Sequence, residues 1–266
     1  MTQKIHAMAV IEDGAKIGNN VEIGPFCVVG PNVVLEDNVK LHSHVVMDGI
    51  TTVGEGTEIF PFASIGKQCQ DLKYKGEPAT LTIGKNNKIR EHVTMNPGTE
   101  HGGMKTVVGD NCLFMIASHV AHDCIIGNNV ILANNATLGG HVEVGDFAVI
   151  GGLAAVHQFV RIGSHAVIGG MSGVENDVIP YGRVKGERAH LAGLNLIGLE
   201  RRGFSKDQIK TLQRAFNSLF AYEGTMEERL NMVAEQFAAE DHVMDMIDFA
   251  KAKTRFPLCQ PPRKAA

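Results

Sequence analysis

VGDNCLFMIASHVAHDCIIGNNVILANNATLGGHVEVGDFAVIGGLAAVHQFVRIGSHAVIGGMSGV, residues 108–174, carries an apolar residue at every sixth position: Val108, Phe114, Val120, Ile126, Leu132, Leu138, Val144, Ile150, Val156, Ile162, Ile168 and Val174. The same register runs in steps of six from Ile5 to Ile65 and reappears at Ile83, Ile89 and Met95, which makes 26 hexads, 13 of them with glycine next. A period of six is not helical, and it exceeds the alternation of a strand with one wet face. It fits a short strand plus a corner, with the repeated apolar side chain pointing inward. Three hexads close a triangular coil, so the chain predicts a parallel β-helix of nearly nine coils, stacked about 4.8 Å apart through backbone ladders. The fifth position is small or β-branched, as at Val21, Val33, Ala136 and Ala148, and Cys27, Cys112 and Cys124 fall there too. These cysteines therefore read as interior filler.

The bulk composition agrees. Thirty glycines, no tryptophan and 6% aromatics suit a solenoid with tight corners better than a packed α/β core. A net charge of −4 argues against a nucleic-acid partner. Five cysteines without paired spacing predict no disulfide framework and a reducing cytoplasm. The N-terminal stretch lacks the basic-then-apolar pattern of a signal peptide, and no apolar run reaches the roughly 18 residues of a membrane span.

Two stretches leave the register, KQCQDLKYKGEPATLT (67–82) and PGTEHGGMKTV (97–107). Loops inserted into a repeat often carry function. After Pro180 the hexads stop and helical spacing begins. Ser205-x-x-Gln208 is a capping box ahead of Ile209, Leu212, Phe216 and Leu219, and Thr225-x-x-Glu228 opens a second helix. A third helix is predicted from Val243 to Lys253. The division expected is a β-helix over 1–186 and a helical domain over 187–266.

Twelve histidines need sorting. His6, His42, His44, His92, His101 and His165 show no partner in the repeat register and read as surface residues. His119, His122, His141 and His157 differ. The hexads beginning at Val120, Leu138 and Val156 stack one coil apart, which puts His122 beside Gly140 and His141, with His157 and Gln158 one coil further. Imidazoles converging on one column within about 10 Å look like an active site. Two readings compete: histidines decorating a polar corner, and a metal centre, since neutral imidazole is a common ligand.

SHVAHDC (118–124), ILANNATLGGHVEVGD (131–146), AAVHQF (154–159), GLN (193–195), ERRGFS (200–205) and QDLKYKGE (70–77) resemble the UDP-N-acetylglucosamine O-acyltransferases, hexapeptide-repeat enzymes that begin lipid A synthesis. The likeness spans essentially the whole chain and implies a left-handed winding. It also implies a 3-hydroxyacyl donor on acyl carrier protein, UDP-N-acetylglucosamine as acceptor, no cofactor, and a homotrimer with sites between subunits. His122 matches the family's general base, a task suited to an imidazole near its ordinary pKa of about 6.5. Asp123 would orient it, although neighbouring strand residues normally point to opposite faces. The Gly140 N–H matches a proposed oxyanion donor. Gln70, Asp71 and Lys73 match the family's sugar and acyl contacts, with Asp71 and Lys73 coming from a neighbouring subunit. His119, His141, His157 and Gln158 match substrate-positioning residues. Arg188, Asn195, Arg201 and Arg202 fall at the nucleotide end, where guanidinium suits phosphate. Gly152 and Gly170 stack on an adjacent corner, and the resemblance makes Gly170 an acyl-length ruler left open for a longer chain.

Ile197, Glu187-Arg188 and Asn96 depart from the best-known family pattern, which has Glu, Asn-His and His there. Residues 183–210 hold seven basic and three acidic residues, a net +4 suited to an acidic carrier protein. Related enzymes use a 3-amino sugar at the same kind of site. The rival N-acyltransferases carry a uridine-binding domain ahead of their coils, whereas hexads here begin at Ile5. The metal reading corresponds to a γ-type carbonic anhydrase, whose histidine pair is four residues apart, unlike His119 and His122. A purely structural β-helix would show flat Thr or Ser arrays and no histidine column.

Overall fold

The computed structural model describes residues 3–262. Three sheets of eleven, nine and eight strands, parallel except for the last strand of the first, form the faces of a triangular prism. Most strands are two residues long, and each pairs with the strand one coil above, as in Ile5↔Ile23, Val120↔Leu138 and Leu138↔Val156. The result is a left-handed parallel β-helix. The repeated apolar side chains fill its axis: Val29, Met47, Ile89, Phe114, Leu132 and Ile150 are fully buried. The fifth-position residues pack between them, Cys27, Cys112 and Cys124 included. Burial pushes the Cys124 thiol up to about 12 and Cys112 up to about 11, so both stay protonated filler.

Most hexads turn their corner at the fourth position, where the backbone enters the left-handed region. Asn20, Asn38, Asn86, Asn111 and Asn129 do so at the corner after the third face, and Asp123, His141 and Phe159 at the corner after the second. Asparagine tolerates this conformation best among residues bearing a side chain. The corner after the first face is lined by a ladder of rings, Phe26, His44, Phe62 and His92, with centroids 4.9–5.1 Å apart. His42 bonds Glu58 at 2.8 Å and stacks on Phe60. His165 stacks between Phe147 and Tyr181. The expectation that these histidines lack partners is therefore corrected for His42, His44, His92 and His165: the 18-residue spacing that builds the coils also stacks their rings.

Two parts of the C-terminal region differ from the sequence reading. Residues 182–194 are not helical: Gly182–Lys185 continues the first face and His190–Leu194 returns antiparallel to it. A short helix, α1 (Leu196–Arg201), then precedes α2 (Lys206–Leu219), α3 (Met226–Gln236) and α4 (Asp241–Lys251). Both capping boxes form with reciprocal bonds. The amphipathic faces of α2–α4 bury Leu212, Leu219, Val233, Val243 and Met246 against one another. The chain then returns to the prism, where Asp177 and Leu258 form a parallel bridge.

Candidate active site

The two insertions leave from the same corner, after the second face, in the two coils directly beneath His122. Strand Ser64–Ile65 precedes the first, Thr94–Met95 the second, and His119–Val120 lies next above. Strands resume at Thr80 and Lys105, so the loops proper are 67–79 and 97–104. They are tied together: Asn96 Nδ2 donates to the carbonyl of Lys67, Gly98 N to Thr80 O, and Glu100 N to Glu77 Oε1. Asn96, one of the family departures, is thus a staple between the loops.

The upper loop wraps Asp123. Thr99 donates twice to its carboxylate, from N to Oδ1 at 2.9 Å and from Oγ1 to Oδ2 at 2.6 Å. Asp123 N donates to Thr106 Oγ1 at 2.8 Å, and a Cβ on Gly102 would overlap the carboxylate. His122 Nδ1 lies 2.8 Å from Asp123 Oδ2. An ionised carboxylate only accepts, so Nδ1 carries the proton and Nε2 is left as the base. Adjacent residues meet here because Asp123 has φ 59°, which swings its side chain to the side of His122. The opposite-face rule holds for extended strand, and this is a corner. Burial by itself raises the Asp123 carboxyl, and the bonds from His122 and Thr99 more than reverse it, holding the group below the usual carboxylate range.

Above the dyad, the His141 ring meets His122 edge-on at 5.0 Å and stacks on Phe159 at 4.2 Å. Burial lowers the pKa of His141 against the opposing pull of Asp123, so it is neutral at pH 7. His119 accepts or donates at Nδ1 to Thr94 Oγ1 at 2.7 Å, and burial, then the charge of His122, lowers it as well. A Cβ on Gly140 would sit 2.5–2.6 Å from His122 Cε1 and Nε2, so only glycine admits the imidazole. Gly140 is buried, and among the described residues its N–H has no protein acceptor, while Gly139 N and His141 N bond Val156 O and His122 O. A free, buried N–H beside the base is what an oxyanion needs.

The other predicted residues fall on three corners. Gln70, Asp71 and Lys73 ride the lower loop over the His122 corner, with Lys73 N bonded to Asp71 Oδ1. The Asp71 charge also acts on His141 within its own chain. His157 and Gln158 occupy the same corner one coil above Gly140, both exposed. Arg188 pairs with Glu175 at the top of that column. Gly152 and Gly170 lie instead on the corner after the first face. A Cβ on Gly170 would meet only Gly152 O at 3.1 Å, whereas one on neighbouring Gly151 would strike backbone at 2.5 Å. The fold thus requires glycine at 151 but not at 170.

Asn195 and Arg202 belong to the third corner. Asn195 caps α1 through Gly198 N and donates to His165 O. Arg202 Nη2 donates to Phe147 O at 2.7 Å, while its buried Nη1 has no partner among the described residues. Arg201 is exposed on the last turn of α1. The sequence reading overlooked Thr99, Thr106 and Phe159.

One ligand atom each from His122, Asp123 and His141 lies within 4.8 Å of the others, the spacing a metal would use. The donor set does not fit one. Asp123 Oδ2 is already taken by Thr99 and His122, and His122 Nδ1 spends its proton on it. His119, the third histidine of the metal reading, turns to Thr94 instead. The group is an imidazole–carboxylate dyad.

A hexapeptide β-helix with such a dyad beside a free backbone N–H defines a transferase of the hexapeptide-repeat class. Family models agree: "Bacterial transferase hexapeptide (six repeats)" matches residues 14–49 and 105–140, and domain 2 of "Udp N-acetylglucosamine O-acyltransferase" matches 177–259. The acyl-[acyl-carrier-protein]–UDP-N-acetylglucosamine O-acyltransferase of Rickettsia peacockii is 54% identical, over 96% of this chain and 97% of its own. That of Rhizobium johnstonii is 48% identical, over 98% and 96%. The solved UDP-N-acetylglucosamine acyltransferase of Campylobacter jejuni superposes with a TM-score of 0.92 at 40% identity, covering 97% of this chain and all of that one. The chain belongs to the UDP-N-acetylglucosamine O-acyltransferase family.

Proposed function

We propose that the protein moves a 3-hydroxyacyl group from the thioester of acyl carrier protein to the 3-hydroxyl of UDP-N-acetylglucosamine, the opening step of lipid A synthesis. The observation that carries the mechanism is the Thr99–Asp123–His122 chain ending at Nε2 against Gly140. Nε2 takes the proton of the sugar hydroxyl as its oxygen attacks the thioester carbonyl. Asp123 stabilises the imidazolium that forms, without itself taking the proton. The Gly140 N–H receives the developing oxyanion. Collapse expels the carrier thiolate, which leaves as the thiol with the imidazolium proton.

The acyl chain has a floor on the outside of the second face. There the outward residues shrink up the column from His119 through Thr137 and Ala155 to Gly173, ending beside Gly152 and Gly170. The carrier meets Arg183, Lys185, Lys206 and Lys210, all exposed. His122, the ruler glycines and Asn195–Arg202 occupy three corners of one prism. This supports a homotrimer, in which one chain's His122 corner faces another's third corner. Among the described residues no helix is long and apolar enough to cross a membrane.

The test is acyl transfer with UDP-N-acetylglucosamine and a series of 3-hydroxyacyl carrier proteins, run beside His122→Ala. Transfer that depends on His122 is expected. No transfer by the wild type, or full rate in the variant, refutes the assignment.

A further inference from the structure

The C-terminal strand of chain after α4 ends on the catalytic column. It is fastened at Asp177, which is fully buried at the top of that corner. Thr254 Oγ1 donates to Asp177 Oδ2 at 2.9 Å, Asp177 N donates to Pro257 O, and Cys259 N to Asp177 O at 2.7 Å. Arg161 fixes the same carboxylate from the side at 2.9 Å. Between these anchors Arg255 is held with its guanidinium 4.2 Å from the centre of the Phe159 ring. Phe159 lies flat on His141, at 4.2 Å and an interplanar angle of 4°, and His141 abuts His122. Base, histidine, phenyl ring and guanidinium form one continuous chain of contacts, edge-on at the base and stacked between His141 and Phe159.

Arg255 is exposed and donates to no protein acceptor among the described residues, unlike Arg161, Arg188 and Arg229, whose donors are taken. The ring contact holds the guanidinium in place over Phe159 without using any of its N–H donors. A planar fork so fixed matches two oxygens of a phosphate. The positive charge also opposes protonation of His141, so the electrostatics link it to the same site.

We propose that Arg255 is a phosphate-binding residue of this active site, brought there by the C-terminal segment. The proposal rests on the function above, in which both substrates carry phosphate: the diphosphate of the nucleotide sugar and the phosphodiester linking the carrier to its thiol arm. Arg255 recognises one of them.

Arg255→Gln and Arg255→Lys, assayed with each substrate varied in turn, decide this, with calorimetric binding of UDP as an activity-free readout. Losing a charge-assisted contact of this kind costs about tenfold in affinity. In R255Q the KM of one substrate is expected to rise by about that factor, with kcat within about twofold. R255K, which keeps the charge but loses the planar stack, falls between. A higher KM for the nucleotide sugar with weaker UDP binding assigns the diphosphate. A higher KM for the acyl carrier with unchanged UDP binding assigns the phosphodiester. Unchanged KM values for both substrates, whatever kcat does, overturn the proposal. Wild-type turnover in the same series separates this failure from failure of the proposed reaction.

Discussion

Replacing Thr99 by valine removes one hydroxyl from the catalytic corner and keeps its shape. The lost bond is 2.6 Å long, made to an ionised oxygen, and lies where Thr99 is 2% exposed. Such a charge-assisted bond contributes about 1.5–3 kcal/mol, and Asp123 Oδ2 is left with His122 as its remaining donor. Part of the loss falls on the fold. For a chain this size that part, at most about 1.6 kcal/mol, lowers Tm by no more than about 6 °C. The rest falls on the reaction, because the carboxylate must be in place when the imidazolium forms. If about 1.4 kcal/mol is lost there, kcat drops about tenfold.

The pH dependence gives the sharper readout. Burial raises the Asp123 carboxyl and its donors more than reverse that rise, so its ionised form is stabilised in the fold. Stability from a depressed carboxyl is present above its unfolded pKa of about 3.9 and disappears as pH falls through the folded value. Removing a donor raises the folded value, so the acid limb of the pH–stability profile moves to higher pH in T99V. Thr99→Ser, which restores the hydroxyl, returns the limb and most of kcat. The reasoning is refuted if T99V matches wild type in kcat and acid limb, or if T99S behaves like T99V.

Gly140→Ala drives a methyl into the His122 imidazole, so kcat falls at least about 100-fold while circular dichroism stays that of the β-helix; a variant as active as wild type sinks the close-approach argument. Gly170→Met costs the fold little, because only Gly152 O lies near. Assayed against donors of graded length, it should shift preference to shorter acyl chains; an unchanged length profile removes Gly170 from the ruler role. His165, pushed down to about 4 by burial and by Arg202 and His242, is neutral in the fold and protonated when unfolded below about 6.5. The unfolded state therefore binds more protons between those values, and stability is lost as pH is lowered across that window, by about 2–3 kcal/mol. Thermal melts of His165→Phe, which keeps the ring stack, should show a flatter slope from pH 6.5 to 4, and an unaltered slope would place the linkage elsewhere.

The prism was legible because one side chain in six reports the interior wherever it falls. The same arithmetic brought His122, Gly140 and His141 together before any coordinates. It also held information that went unused. Both loops follow hexads of the second face, at Ile65 and Met95, so their placement beneath His122 is countable from the sequence. Thr99 itself was not countable, since a loop outside the register has no address. Asp123 looked misdirected because side-chain alternation was applied to a corner, where φ 59° breaks it. Asn195 shows the opposite limit: it matches a ligand contact, yet the fold also employs it as the cap of α1. The return of Arg255 to the column depends on the packing of three helices, which local spacing does not encode.

The left-handed fourth position also gives the molecule a kind of translational symmetry. The slot that holds asparagine in coil after coil is the slot that holds Asp123 and His141, so the candidate site occupies an ordinary rung and asks for no special backbone. Length along the axis is therefore counted in whole rungs of about 4.8 Å. Excising residues 24–41 would join Ile23 to His42 in register, since Ile23 and Leu41 are already stacked partners. The prism would lose one rung at its base. Dyad, loops and C-terminal strand would keep their mutual positions, and only the distance to the N-terminus would change.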